Sequence, residues 1–316
     1  MAFACALEWL CGPLMGIQGV IDIVASFSFK FQGVPVRVLP RESTSMIECL
    51  VELSHAWAVG DSAGYVSVYD FECEKLLRTY RMHYGVYTIA SYGENGFMCN
   101  ANSGFWVWNN LKSRRVPGAD DRGICKLLSF RGDIAASCSN ADERVHVYAL
   151  ANVYLNGQST VLHSLHGPGR VTDVAQYEDT LISVHETHSH GVVWLWDVRR
   201  GTHVHSIPLD FNNIYHIYNV IVNQTMFMFI DEESRVHAYD LETKRDNIVA
   251  RTDRFCVIPD NRILTSGSDS SFGVVDVTNA YTSDAQVKAR SNCFKFVYVR
   301  TGRVIVCNLH EVQVWL

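Results

Sequence analysis

The chain has 316 residues, 48% hydrophobic and 19% charged, with a formal net charge of −6 and 10 cysteines. That balance supplies ample apolar surface for a folded core and excludes an extended disordered chain, and the acidic excess argues against a general nucleic-acid binder. No C-x-x-C spacing occurs and several cysteines sit in apolar runs such as GFMCNA and IAASCS, so buried free thiols in a reducing, intracellular compartment (cytoplasmic or nuclear) are expected.

At the N-terminus, Met1 to Val24 holds no basic residue and Lys30 is the first base, so a secretory leader is not expected. Glu8, the Gly12-Pro13 pair and Gln18 interrupt the apolar run, which falls short of the ~20 continuous apolar residues of a membrane span. Residues 1–19 are therefore expected to pack on the body of the protein, with partner docking and membrane contact as the other readings. Val20 to Phe31 (VIDIVASFSFKF) is the one early stretch with the length and β-propensity of a strand.

From Ala63 onward one short phrase recurs seven times: a small loop, then an alternating apolar strand ending in an aromatic-acid pair or a worn version of it. The copies are AGYVSVYD (63–70), SGFWVWNN (103–110), DERVHVYAL (142–150), HGVVWLWDV (190–198), ESRVHAYDL (233–241), SSFGVVDV (270–277) and HEVQVWL (310–316). Aligned on the penultimate aromatic, they place Tyr69, Trp108, Tyr148, Trp196, Tyr239, Val275 and Trp315 at intervals of 39, 40, 48, 43, 36 and 40 residues. A second apolar run precedes the phrase by a turn, as HAWAVGD precedes AGYVSVYD and RILTSGSD precedes SSFGVVDV. The alternation is too short for a helix and suits half-buried strands, while ENG at Glu94, HGPG at His166 and SGS at Ser266 supply turns. A period near 40 residues with one such phrase per unit is the pattern of a β-propeller with four strands per blade. The expected fold is all-β, a seven-bladed β-propeller over residues 20–316. Its last unit ends on Trp315-Leu316, so Val20 to Phe31 is expected to supply the missing outer strand and hide two sheet edges.

Over Ile47 to Leu316 the sequence resembles a divergent WD-repeat β-propeller. LTSGSD (264–269) is similar to that family's middle strand and turn, and Trp194-Leu195-Trp196-Asp197 to its dipeptide. The family's Gly-His pair is missing from most units, His166-Gly167 is reversed, and Val275 replaces the sixth aromatic. The resemblance implies structural roles for Trp108, Trp196, Trp315, Asp197, Asp240 and Asp269, through a buried network of Trp, middle-strand Ser or Thr, loop His and turn Asp. Such a network stabilises only when fully satisfied, so its wear predicts that apolar packing carries more of the contact between blades. The function it implies is a non-catalytic scaffold or adaptor joining protein partners in a multi-protein assembly. No cofactor, direct nucleic-acid contact, membrane span or homo-oligomer is expected.

Candidate partner-binding residues lie where units open their first strands. Aligning DRGICKL, GPGRVTDV, NNIYHI, TDRFCVI and ARSNCFKF puts Arg122, Arg170, Arg254 and Arg290 at or just before four openings, on loops that in the resemblance rim the top of a central channel. There they would hold an acidic peptide or phosphate through charge-assisted bonds, or else pair locally with Asp121, Asp173 or Asp253. Tyr84, Tyr87, Phe211 and Tyr215 share these openings, and Tyr beside Arg is a composition enriched at interface hot spots, although each aromatic also suits a packed strand.

His185, His188 and His190 in HETHSH form the densest cluster of ligand types and are expected on an exposed turn between LISV and GVVWLW, as a partner contact. An H-E-x-x-H zinc motif needs two histidines four apart, and position 189 is serine, so no metal is assigned. Zinc held by two imidazoles is the alternative to a solvated turn. Trp196-Asp197-Val198-Arg199 is similar to the W-D-x-R pattern by which many propellers dock on the adaptor of cullin-type ubiquitin ligases. This makes a ligase substrate receptor acting through Asp197 and Arg199 the alternative function, although Tyr239-Asp240-Leu241-Glu242 lacks the tandem arginine. Arg199-Arg200-Gly201 resembles the F-R-R-G element of phosphoinositide-binding propellers, with valine in place of the leading Phe. No Gly-rich phosphate loop, G-x-S-x-G or informative acid–base pair supports an enzyme.

Overall fold

The computed structural model describes residues 37–39, 41–70, 75–82, 84–93, 96–101, 104–109, 112–116, 124–130, 134–139, 143–150, 160–177, 179–187, 191–209, 218–223, 226–231, 233–252, 254–258, 262–266, 271–277, 281–288, 295–298, 304–307 and 312–315. Every regular element among them is a β-strand. After β1 (Arg37–Val38) come β2 (Ile47–Glu52), β3 (Ala56–Asp61), β4 (Tyr65–Asp70), β5 (Leu76–Arg81), β6 (Val86–Tyr92), β7 (Gly96–Ala101), β8 (Gly104–Asn109) and β9 (Lys112–Arg115). They continue with β10 (Ile124–Ser129), β11 (Ile134–Ser139), β12 (Arg144–Ala149), β13 (Thr160–His166), β14 (Arg170–Tyr177), β15 (Thr180–Glu186), β16 (Gly191–Asp197) and β17 (Thr202–Leu209). The remainder are β18 (Tyr218–Asn223), β19 (Met226–Ile230), β20 (Arg235–Asp240), β21 (Asp246–Arg251), β22 (Arg254–Ile258), β23 (Arg262–Ser266), β24 (Ser271–Asp276), β25 (Tyr281–Lys288), β26 (Lys295–Tyr298), β27 (Val304–Cys307) and β28 (Val312–Trp315).

These strands make four-stranded antiparallel sheets, six of them in simple chain order from β2-β3-β4-β5 to β22-β23-β24-β25. The seventh is β26-β27-β28 with β1 on its outer side. The repeated phrase falls on the third strand of every sheet: β4, β8, β12, β16, β20, β24 and β28. First strands of successive sheets adjoin, β2 with β6, β6 with β10, and so on to β22 with β26, and β26 also adjoins β2.

The pleat explains why the middle strands are the most apolar. Successive residues of a strand face opposite sides, so Phe97 enters the cluster shared by sheets one and two while Met98 enters that of sheets two and three. In the fourth sheet Leu181 packs with Val171 and Trp196 towards sheet three, and Ile182 with Phe227 and Phe229 towards sheet five. The core is thus a series of layers between sheets, and β3 and β7 are buried along their whole length. Each fully enclosed aromatic or aliphatic side chain there contributes about 1.5–3 kcal/mol.

The outer strands β5, β9, β17 and β21 face water instead over most of their described length. In β5, β13 and β17 a bulge opposite the residues just before the repeated aromatic leaves Leu77, Leu162 and Val204 outside the ladder register. Their side chains project outward, Val204 being 62% exposed. Bulges of this kind twist and blunt an open edge against pairing with another chain.

The N-terminal part does provide the outer strand of the last sheet, but in a different place from the one expected. Arg37 pairs with Val314 and Val38 with Gln313, whereas Val20 to Phe31 and the segment 1–19 lie outside the described residues. No helix among the described residues is long and apolar enough to cross a membrane.

Candidate interaction surface

The best-formed polar site built on the repeat is internal, and it corrects one sequence expectation. β15 runs on through His185 and Glu186, so His185 is a strand residue and is fully buried rather than on an exposed turn. Residues two apart share a face, which puts Ser183 and His185 on the side reached by Trp196. Trp196 Nε1 donates to Ser183 Oγ at 2.7 Å, and Ser183 Oγ lies 2.7 Å from His185 Nε2. His185 Nδ1 faces the Gly169 carbonyl at 3.4 Å. Burial pushes the imidazole down to about 4, outweighing the carbonyl's opposite pull, so the ring is neutral at pH 7. A single proton arrangement then satisfies the chain: Trp N–H to Ser oxygen, Ser O–H to Nε2, and Nδ1–H to the carbonyl. Gly167 lies against the ring where any Cβ would overlap it. The buried Trp–Ser–His network is therefore intact in this sheet, with its histidine drawn from the middle strand. His188 and His190 lie outside the described residues, and no group of three metal-ligating side chains occurs among those described.

The repeat aspartates close turns. Asp197 Oδ1 accepts the N–H groups of Arg199 and Arg200 at 2.9 and 3.0 Å, and Asp240 Oδ1 those of Glu242 and Thr243 at 2.8 and 3.0 Å. Two further turn aspartates escaped the sequence reading. Asp61 binds the amides of Ala63 and Tyr65, and Asp231 those of Glu233 and Arg235. Both sit at the His185 position of their own sheet, two residues beyond the Ser183 equivalent, and that spacing was the available signal. Asp269 lies outside the described residues. Trp108 stacks on Phe97 with centroids 5.9 Å apart and meets Tyr80 edge-on. Trp315 ends β28, and its side chain is outside those described.

Of the aligned arginines, Arg122 and Arg290 lie outside the described residues, while Arg170 and Arg254 open β14 and β22 as expected. Arg170 is exposed; the side chain of Arg254 is outside those described. Asp173, one of the expected local partners for these arginines, binds Lys126 of the preceding sheet at 2.7 Å. Tyr84 and Tyr87 are 53% and 43% exposed, while Tyr215 and Phe211 lie outside the described residues. Met46 is exposed as well, at 39%. Its carbonyl accepts the Ser62 amide at 2.9 Å, and Gly85 lies against the Ser62 carbonyl and the Tyr87 ring. Met46, Tyr84 and Tyr87 thus border one turn, 61–64, where sheets one and two meet. That apolar-aromatic patch was only half visible in the sequence, because Met46 joins it through a contact between separate loops. Arg199 is 69% exposed and reaches Asp179 at 3.3 Å.

No family model matches the sequence, and no curated protein matches it significantly. Among solved structures 1507 chains match, so the shape is widely shared and does not choose a function. One of them is the crystal structure of the computationally designed Ika8 protein, with a TM-score of 0.62 and 15% identity over 89% of this chain and 99% of that one.

Proposed function

We propose that the chain is a divergent WD-repeat-like, seven-bladed β-propeller closed by its N-terminal strand, and that it acts as a non-catalytic scaffold joining protein partners in a larger assembly. The observation that carries the reading is the succession of four-stranded sheets whose first strands adjoin in turn, the last returning to the first. Such a body is held by layers of apolar packing between neighbours and offers preformed loops, so binding costs little ordering. The Met46–Tyr84–Tyr87 patch supports a partner site at the junction of sheets one and two, since exposed aromatic and methionine side chains in one place are the usual anchors of an interface. The ligase-receptor reading draws on the exposure of Arg199; the Asp197 carboxylate is already used to close its own turn.

Affinity purification of the tagged chain from its own cells tests this, comparing wild type with Tyr84→Ala/Tyr87→Ala and Arg199→Ala. Stoichiometric protein partners that survive Arg199→Ala and fall away with the tyrosine pair support the scaffold. Loss of a ligase adaptor with Arg199→Ala alone supports the alternative, and a chain that captures no partner contradicts both.

A further inference from the structure

The fifth sheet contains a cluster of charged side chains around one buried histidine. His237, in the middle of β20, has 2% of its side chain exposed. Both ring nitrogens face carboxylates: Nδ1 lies 2.8 Å from Asp246 Oδ2 on β21, and Nε2 lies 3.2 Å from Asp231 Oδ2 at the end of β19. Phe229 stacks on the ring at 4.8 Å, nearly parallel. A neutral imidazole carries one N–H and one lone pair, so it would set that lone pair against one of the two carboxylates in a buried place. Only the imidazolium donates to both. Arg235 Nε binds the same Asp231 oxygen at 2.6 Å, with Glu233 on its other side at 3.0 Å. Two cations therefore meet Asp231 and Asp246 in a balanced set, rimmed by the more exposed Glu233. The face of sheet four that packs on Phe229 brings Val184, Val193, Ile207 and Leu209 into the shared cluster, and the same face carries the titratable residues Glu186, Asp197 and His205, in register with Gly191, Thr180 and Leu195. Tyr239 and Asp240 are the remaining titratable groups nearby on β20.

The repeat shows how particular this is. At the position of His237 the other sheets carry Ser67, Trp106, His146, Trp194, Gly273 and Gln313. His146 meets the Ser164 hydroxyl, a partner that makes no demand for charge.

We propose that protonated His237 is a latch that ties the outer strand β21 to the fifth sheet, and that loss of its proton loosens that strand. β21 is an outer strand, with Ile248 52% exposed and Val249 buried beneath it. Loosening it uncovers the free edge of β20 and the Val249 side chain, a surface able to accept an added strand.

The direction with pH follows from the groups themselves. Burial opposes charge on His237, but the bonds and charges of Asp246 and Asp231 outweigh it and raise the group above its ordinary value. Burial likewise pushes Asp231 up, and the bonds from Arg235 and His237 outweigh that and hold its carboxyl low. A raised histidine stabilises fully below its unfolded value of about 6.5, and its contribution is lost as pH rises through the folded value. A lowered carboxylate stabilises fully above its unfolded value of about 4 and loses its contribution only as pH falls through the folded one. The latch is therefore closed between those limits and opens on the alkaline side.

Nitrogen-15 NMR of histidine-labelled protein, with hydrogen exchange of the β21 amides corrected for intrinsic rates, tests the latch. The expected result is protons on both His237 nitrogens at pH 6, a midpoint above the ordinary histidine value of about 6.5, and a lower midpoint in Asp246→Asn. As pH rises through the wild-type midpoint, β21 should exchange about tenfold faster relative to β17. In His237→Phe, which keeps the stack on Phe229, β21 should be fast at every pH. A ring that is neutral at pH 6, a midpoint unmoved by Asp246→Asn, or β21 protection indifferent to pH overturns the proposal.

Discussion

Ser183 serves two buried partners at once, accepting from Trp196 and donating to His185. Removing its hydroxyl leaves the Trp196 N–H and the His185 Nε2 unpaired, and each buried orphan atom costs about 1–3 kcal/mol. Ser183→Ala is therefore expected to lower unfolding free energy by roughly 2–4 kcal/mol, read as a shift of the urea midpoint at unchanged slope. His185 adds a pH signature of opposite sense to that of His237. Its folded value, about 4, is depressed below the unfolded one, so the unfolded state binds the proton first and stability falls as pH drops from about 6.5 towards 4. The loss across that window is about 3 kcal/mol, and His185→Gln should flatten this part of the profile. At this scale the sequence showed the residue types but misread one boundary. Placing the end of LISV two residues early turned a buried strand histidine into an exposed loop histidine. Partners such as Asp231 and Asp246 for His237, or Lys126 for Asp173, arise from strand pairing and sheet packing, which no local pattern encodes.

Sheets two and four carry the same tryptophan with different support. Trp196 Nε1 has the Ser183 oxygen, while the equivalent neighbour of Trp108 is Cys99, so the buried Trp108 indole N–H faces a thiol in place of a hydroxyl. Burial pushes the Cys99 thiol well up, and the nearby Cys49 adds to this; a neutral thiol is a weak acceptor. Trp196→Phe is accordingly expected to cost about 1–2 kcal/mol more than Trp108→Phe, and equal costs would remove the network from the account of the fourth sheet. Elements were the most legible level of the sequence, since all seven phrases mark third strands. The strand that completes the last sheet was not, because Arg37 and Val38 pair with β28 through a backbone ladder that no side-chain pattern marks.

Across the whole molecule, apolar layers recur between neighbouring sheets, and the described surface is broken by a few exposed apolar groups. Leu77, Val161, Leu162 and Val204 lie on outer strands whose bulges discourage edge pairing. Met46, Tyr84 and Tyr87 stand together beside one turn, and this grouping is the basis for assigning a partner to that side of the body. The period near 40 residues made the architecture readable before any contact was known, whereas the patch depends on loops from two sheets meeting in space. The central claim is that this patch anchors a protein partner. Its most direct test is the equilibrium affinity of the purified chain for the principal partner captured from cells, measured for wild type, Tyr84→Ala/Tyr87→Ala and the outer-strand variant Val204→Ser. The account predicts a loss of about thirtyfold or more for the tyrosine pair, the ~2 kcal/mol of an interface hot spot, with Val204→Ser unchanged and all three melting alike. Wild-type affinity in the tyrosine variant would contradict it.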